Sequence, residues 1–221
     1  MSIKCYVGRM GSGKTYEVVS MVILGALRSG RRVVSNIVGL NYDEMVLALA
    51  EEGVSADKVG ELVTISHDDV FAPEFWLTDE NAPTERPSHV LRPGDLLALD
   101  EIWRFWDGFN KPDPAVMNFF RMHRHFTHPE TGVACDVALI TQDVMDIGRK
   151  VRAVVEETYR MEKLTVIGAP KRYRVDVCTG GQSRKVLRSI QRKYDPRYFV
   201  LYIPSNAINV DFPVTQRSFM I

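Results

Sequence analysis

The segment Gly8-Arg9-Met10-Gly11-Ser12-Gly13-Lys14-Thr15 carries glycine, lysine and a hydroxyl residue at every fixed position of the spacing GxxxxGK[ST], between a β-like run and a helix-like run. The chemistry explains the spacing. Glycines let backbone N–H groups turn inward around a β-phosphate, and the N-terminus of a following helix adds the positive end of its dipole. Lys14 would bridge β- and γ-phosphates as a point charge, and the Thr15 hydroxyl would be a ligand of Mg²⁺. The implied ligand is ATP with Mg²⁺. Its contacts are expected over Gly8, Arg9, Met10, Gly11, Ser12, Gly13, Lys14, Thr15 and Tyr16.

A phosphate loop needs acid for its metal, and Leu96-Leu97-Ala98-Leu99-Asp100-Glu101 is an apolar strand ending in two adjacent carboxylates. If the strand alternation continues, Asp100 faces the Mg²⁺ shell while Glu101 reaches the γ-phosphate side and orients a water. Taken alone, the same pair reads as a solvated strand terminus. Val137 to Gln142 is a second buried run ending in polar groups, where Thr141 or Gln142 could sense a γ-phosphate or simply belong to the turn before Asp143. Arg121 and Arg124 precede that run, and Arg149 and Arg152 follow it. Either pair could supply an arginine finger to a neighbouring subunit, with Arg124 the first choice, against the plain reading of a solvated helix face.

Positioning these groups requires strands that end at one edge of a sheet. β-like runs at Ile3 to Val7, Arg32 to Ile37, Leu62 to Ile65, Leu96 to Asp100 and Asp136 to Thr141 alternate with helical patterns at Gly13 to Arg28, Tyr42 to Glu51, Pro114 to His125 and Val144 to Glu157. This order predicts an α/β fold: a three-layer P-loop NTPase with a mostly parallel central sheet. Phe71 to Pro93 holds Pro73, Pro83, Pro87 and Pro93 and reads as a long surface insertion. After Glu162, strand-like Leu164 to Ile167, Tyr173 to Cys178 and Phe199 to Ile203 predict a β-rich C-terminal elaboration. The expectation is one domain over 1–221, with a core of 1–162 and an extension of 163–221.

With 221 residues, 45% hydrophobic, 25% charged, and Lys+Arg equal to Asp+Glu at 28 each, the chain can bury a core but carries no global field to attract nucleic acid. Cys5, Cys135 and Cys178 show no metal-ligand spacing and read as reduced thiols of a cytosolic protein. The N-terminus has no secretory-signal pattern and reads as a native start, and the apolar run Val18 to Leu27 is too short to span a bilayer. Ile102-Trp103-Arg104-Phe105-Trp106 could stack bases or pack a core. His123, His125 and His128 lack the companions of a metal site. The basic residues Lys171 to Arg174 and Arg184 to Lys193 could follow a nucleic-acid backbone or anionic lipid heads, or form a solvated face.

The combination of the early loop in Ile3 to Thr15, Ser35-Asn36-Ile37, Leu99-Asp100-Glu101, Arg124-His125 and Ile140-Thr141-Gln142-Asp143 resembles the N-terminal domain of the zonular occludens toxin family. That domain is equivalent to the assembly ATPase of filamentous phages, with an FtsK/HerA-like P-loop core. The resemblance implies Gly8, Gly11, Gly13, Lys14 and Thr15 as nucleotide contacts, Asp100 as the metal residue, Glu101 as catalytic base and Gln142 as sensor. It further implies a homo-oligomeric motor at the cytoplasmic face of the bacterial inner membrane, reached through a segment absent from these residues. ATP hydrolysis there would drive extrusion of single-stranded phage DNA, with coat and other assembly proteins as partners. Toxin activity belongs to the family's tail and is not carried over. Two alternatives stand: a small-molecule P-loop kinase, which the adjacent Asp100-Glu101 disfavours, and a nucleotide-binding scaffold without turnover, which the intact Lys14, Thr15, Asp100 and Glu101 disfavour.

Overall fold

Strand β1 (Ile3–Val7) is apolar apart from Lys4 because it lies between two parallel neighbours and both of its faces are covered. The computed structural model describes residues 2–79, 86–164, 169–182 and 185–202. On one side of β1 the sheet continues through β5 (Asp136–Thr141), β4 (Leu96–Leu99), β2 (Val33–Ser35) and β3 (Leu62–Thr64). On the other side come β6 (Glu157–Lys163), β7 (Arg172–Thr179) and β8 (Val186–Lys193). Pairings from β3 to β6 are parallel, and β7 and β8 are added antiparallel.

Strand alternation sorts the core into two layers. Ile3, Cys5, Val7, Leu97, Leu99, Val137 and Leu139 face one side, whereas Tyr6, Leu96, Ala98, Ala138 and Ile140 face the other. On the second side the small Ala98 and Ala138 leave room for the helical run after the loop, whose Val18, Val19, Ile23, Leu24 and Leu27 are fully buried. That run is α1 (Lys14–Glu17), a π-helical stretch Val18–Ile23 and α2 (Leu24–Arg28), with α3 (Tyr42–Glu51) beside it. The first side is covered by α4 (His67–Phe71), α5 (Pro114–Met122) and α6 (Arg149–Arg152). No described helix is long and apolar enough to cross a membrane.

Three sequence expectations need correction. The helix expected over Val144 to Glu157 is a 3₁₀ turn at Val144–Asp146, the single-turn α6, and the start of β6. Asp143 and Asp146 close a capping box on that turn. A Cβ on Gly148 would lie 2.4 Å from the Asp107 carbonyl oxygen, so the backbone passes too close for a continuing helix surface. The stretch expected as a surface insertion instead buries Phe75, Trp76, Leu77, Val90 and Leu91; its prolines prevent regular pairing but not burial. Residues 80–85 of it lie outside the described residues. In the C-terminal part, β7 contains the expected Tyr173 to Cys178 strand, but Phe199 lies in a 3₁₀ run, Pro196–Leu201, and β8 had no counterpart. Of the remaining expected strands, 165–167 and Ile203 lie outside the described residues, as does Arg184 of the basic cluster.

Candidate nucleotide site

The loop leaves β1 at the edge where the parallel strands end. Its first amide, Gly8 N–H, donates to the Gln142 carbonyl just beyond β5 at 3.0 Å, tying the loop to the neighbouring strand. Gly8 has φ 151°, and a Cβ there would meet the Met161 carbonyl oxygen and the Ser12 hydroxyl at 2.6 Å each. Gly13, with φ 95°, is the left-handed residue from which the helix starts at Lys14, and its amide neighbourhood is closed from behind by Tyr194. The Lys14 ammonium donates to the carbonyls of Gly8 at 2.7 Å and Arg9 at 3.3 Å, so it lies across the mouth of the loop. Arg9 and Met10 are exposed at the tip, Gly11 adopts φ 72° in open space, and Thr15 is half-buried in the first helical turn. The Ser12 hydroxyl is buried without a hydrogen-bond partner among the described residues.

Tyr16 does not turn toward this loop. Its ring packs edge-on against Tyr173 and Tyr194, and its hydroxyl accepts from the Asp195 amide at 2.7 Å, so only its backbone is available to a ligand. The following Glu17 is also buried, accepting from the Tyr173 hydroxyl at 2.6 Å and lying 3.4 Å from the Arg192 guanidinium. The C-terminal strands are thereby fastened to the helix that carries the loop.

β4 ends at Leu99, and its two carboxylates stand beside Lys14. Burial pushes the Asp100 carboxyl above its ordinary range; the Glu101 N–H and the Lys14 charge work against that, and the Glu101 charge adds to it. Burial likewise lowers Lys14, opposed by Asp100 and then Glu101. The Asp100 backbone is clamped by Asn36 at the end of β2, which accepts from its amide at 2.7 Å and donates to its carbonyl at 3.2 Å. Glu101 departs from the expected strand alternation: with φ 52° it is the single non-glycine residue at positive φ among the described residues. Its N–H donates to its neighbour's Asp100 Oδ1 at 2.8 Å, and its own carboxylate accepts from the Trp103 indole.

The remaining expected groups separate. Gln142 lines an open cleft with Trp103, Asp107 and Asp146 on the loop side, although its carbonyl is what contacts Gly8. The Thr141 hydroxyl is buried and unpartnered among the described residues. Arg124 lies at the opposite edge of the sheet. It pairs with Glu156, whose amide donates to the Ile3 carbonyl at the start of β1, roughly 13 Å of strand from the loop. Within its own chain it cannot act on a ligand of the loop. Of the aromatic stretch, Ile102, Phe105 and Trp106 are core, leaving Trp103 partly exposed. His123 is held by the Phe120 carbonyl at 2.9 Å, and no described cluster of three or more His, Cys, Asp or Glu could hold a metal. Mg²⁺ fits without such a cluster. It binds through one or two protein oxygens together with phosphate oxygens, and the Thr15 hydroxyl and the Asp100 carboxylate are oxygen donors of that kind. Sequence reading gave Asn36 no role and passed over Tyr194 entirely. Asn36 acts through backbone groups 64 positions away, and Tyr194 reaches the loop from 182 positions away, distances over which spacing carries no signal.

The model of the zonular occludens toxin family matches residues 2–208. The chain belongs to the zonular occludens toxin (Zot) family. It is similar to the Gene 1 protein of Xanthomonas phage phiLf, 32% identical over 197 residues, which covers 86% of this chain and 42% of that protein. It is also similar to the zona occludens toxin of Vibrio cholerae serotype O1 (strain ATCC 39315 / El Tor Inaba N16961), 24% identical over 220 residues, covering 89% of this chain and 50% of that protein. The Zot-family chain thus spans half or less of the length of the curated relatives it matches. The crystal structure of the N-terminal domain of zonular occludens toxin from Neisseria meningitidis aligns with a TM-score of 0.57 at 18% identity, over 91% of this chain and 98% of that one. The Zot N-terminal fold, a P-loop NTPase with a mostly parallel sheet, is therefore the fold of this chain.

Proposed function

We propose that this domain is the Mg²⁺-dependent, ATP-hydrolysing motor of a protein that assembles and extrudes filamentous phage. The observation that carries the reading is the meeting of Lys14, in the first helical turn with Thr15, with Asp100 and Glu101 at one sheet edge. In this reading the loop amides and Lys14 hold the β- and γ-phosphates, and Thr15 and Asp100 hold the cation. Mg²⁺, when bound, neutralises charge on the transferring phosphoryl group. Glu101 takes a proton from the attacking water, and Gln142, across the cleft, hydrogen-bonds the γ-phosphate or that water. Kinship with a phage Gene 1 protein supports a role in virion assembly. From the same kinship we assign homo-oligomerisation, coat and other assembly proteins as partners, single-stranded DNA as cargo, and a place at the cytoplasmic face of the inner membrane. Arg124, paired with Glu156 at the far end of β1 from the loop, would act in this reading only on the nucleotide of a neighbouring subunit.

The test is Mg²⁺-dependent phosphate release from ATP without an acceptor, for the wild type, Lys14→Ala and Glu101→Gln, over a range of protein concentrations. Turnover abolished in both variants and rising per subunit with concentration supports the motor. Binding of ATP without release at any concentration supports a scaffold, and release only with an added acceptor supports a kinase.

A further inference from the structure

Among the described residues, the Glu101 carboxylate has one side-chain hydrogen-bond partner, Trp103. After the left-handed Glu101 the chain forms a single 3₁₀ turn, Ile102–Arg104, pinned by the buried Ile102 before Trp103 and the buried Phe105 and Trp106 after it. The Trp103 backbone is therefore fixed while its indole remains outside the core, 39% exposed. The ring is held on two sides. Its Nε1–H donates to Glu101 Oε2, and the Arg104 guanidinium lies 5.4 Å from the ring centroid. The same ring lines the cleft that contains Gln142.

We propose that Trp103 is a positioning residue that fixes the Glu101 carboxylate for proton abstraction; this rests on the reading of Glu101 as the base. A glutamate at the end of a strand otherwise samples many rotamers, and holding it ready removes that entropy cost before the reaction begins. With Oε2 engaged by the indole, Oε1 remains to accept the proton. As the water oxygen bonds to the γ-phosphorus, one water proton passes to Oε1. The bond between the γ-phosphorus and the bridging oxygen breaks, its electron pair leaving with ADP. The proton on Glu101 is then released to solvent, which restores the carboxylate.

The test combines kinetics with an optical readout that needs no turnover. Trp103→Phe keeps a ring beneath Arg104 and removes the N–H. It is expected to lower kcat roughly tenfold with KM for ATP within about twofold, the loss of one hydrogen bond to a charged group. Trp103→His, which restores a donor, is expected to recover part of that loss. Trp76 and Trp106 are buried, so the acrylamide-quenchable emission of the nucleotide-free protein comes from Trp103. Glu101→Ala is expected to raise the quenching constant, while Glu101→Gln, which keeps an acceptor oxygen, stays near wild type. Unchanged quenching in Glu101→Ala means that the contact does not exist and overturns the proposal. An unchanged or raised kcat in Trp103→Phe, or a raised KM with kcat intact, overturns it as well. Wild-type protein that releases no phosphate while Glu101→Ala still shifts the quenching removes the catalytic reading, and the positioning role with it, but leaves the contact standing.

Discussion

The Tyr194 hydroxyl donates to the Ser12 carbonyl at 3.2 Å, joining the residue that follows β8 to the middle of the phosphate loop. The ring beneath that hydroxyl stacks on Tyr173 at 4.6 Å and meets Tyr16 edge-on at 5.0 Å, so the bond issues from a rigid aromatic block. Tyr194→Phe keeps the block and deletes the bond. Its expected effect is a weakening of ATP affinity by roughly fivefold, about 1 kcal/mol, read by titration with a fluorescent ATP analogue. An affinity equal to wild type means that the loop holds its shape without this brace.

Gly8 and Gly13 both adopt positive φ, but they differ in what stands where a side chain would go. At Gly13 the obstacle is the hydroxyl end of the Tyr194 side chain, which a second substitution can remove, whereas at Gly8 it includes the Met161 backbone carbonyl, which no substitution removes. Both alanine variants incur the left-handed cost of about 1–2 kcal/mol. Gly8→Ala is expected to lower Tm further than Gly13→Ala, and pairing Gly13→Ala with Tyr194→Ala is expected to recover part of the loss. Equal Tm losses would contradict the steric ranking.

Asn36→Ala leaves both the amide and the carbonyl of Asp100 without their side-chain partner at the end of β4. The expected cost is about 1–3 kcal/mol of stability by chemical denaturation, together with weaker Mg²⁺ dependence of ATP binding as Asp100 loses its fixed place. Loss of stability with an unaltered Mg²⁺ response would confine Asn36 to folding.

Glu17 gives the pH dependence a sign. Burial raises its carboxyl above the ordinary 4.5, with the Tyr173 hydroxyl and Arg192 acting in the other direction. A carboxyl raised in the folded state binds a proton more readily there than in the unfolded chain. Its charge is thus a stability loss that begins as pH passes 4.5 and is complete above the folded value. Glu17→Gln keeps an oxygen for Tyr173 and has no charge to desolvate. The difference in stability between Glu17→Gln and wild type should therefore grow as pH rises through that window in thermal scans. A constant difference across the window would refute the assignment.

The core of this fold was legible because buried parallel strands leave apolar runs: β1, β5 and α3 have the boundaries expected of them. β8 was invisible for the opposite reason. It is an edge strand, largely exposed, and its Arg188, Arg192 and Lys193 dilute any alternation. β6 was hidden by Val151, Val154 and Val155 just before it, whose spacing imitates a helix face, and by Glu157, Arg160 and Glu162 within it. In the site, the Gly8–Thr15 loop and the Asp100-Glu101 pair could be read from local spacing. The Asn36 clamp and the Tyr194 brace are tertiary contacts between polar or aromatic residues of ordinary type, and no local pattern announces them.

The segment from Tyr194 to Tyr202 is anchored along its length: Tyr194 on Ser12, the Asp195 amide on the Tyr16 hydroxyl, and the Leu201 carbonyl on the Asn41 amide at 2.9 Å. Tension applied at Tyr202 would meet the Asn41 contact first and then the loop and its helix, before it reached the central sheet. Linkage then requires the converse: a nucleotide that stiffened the loop would also stiffen this segment, and load on the segment would change nucleotide affinity by the same free energy.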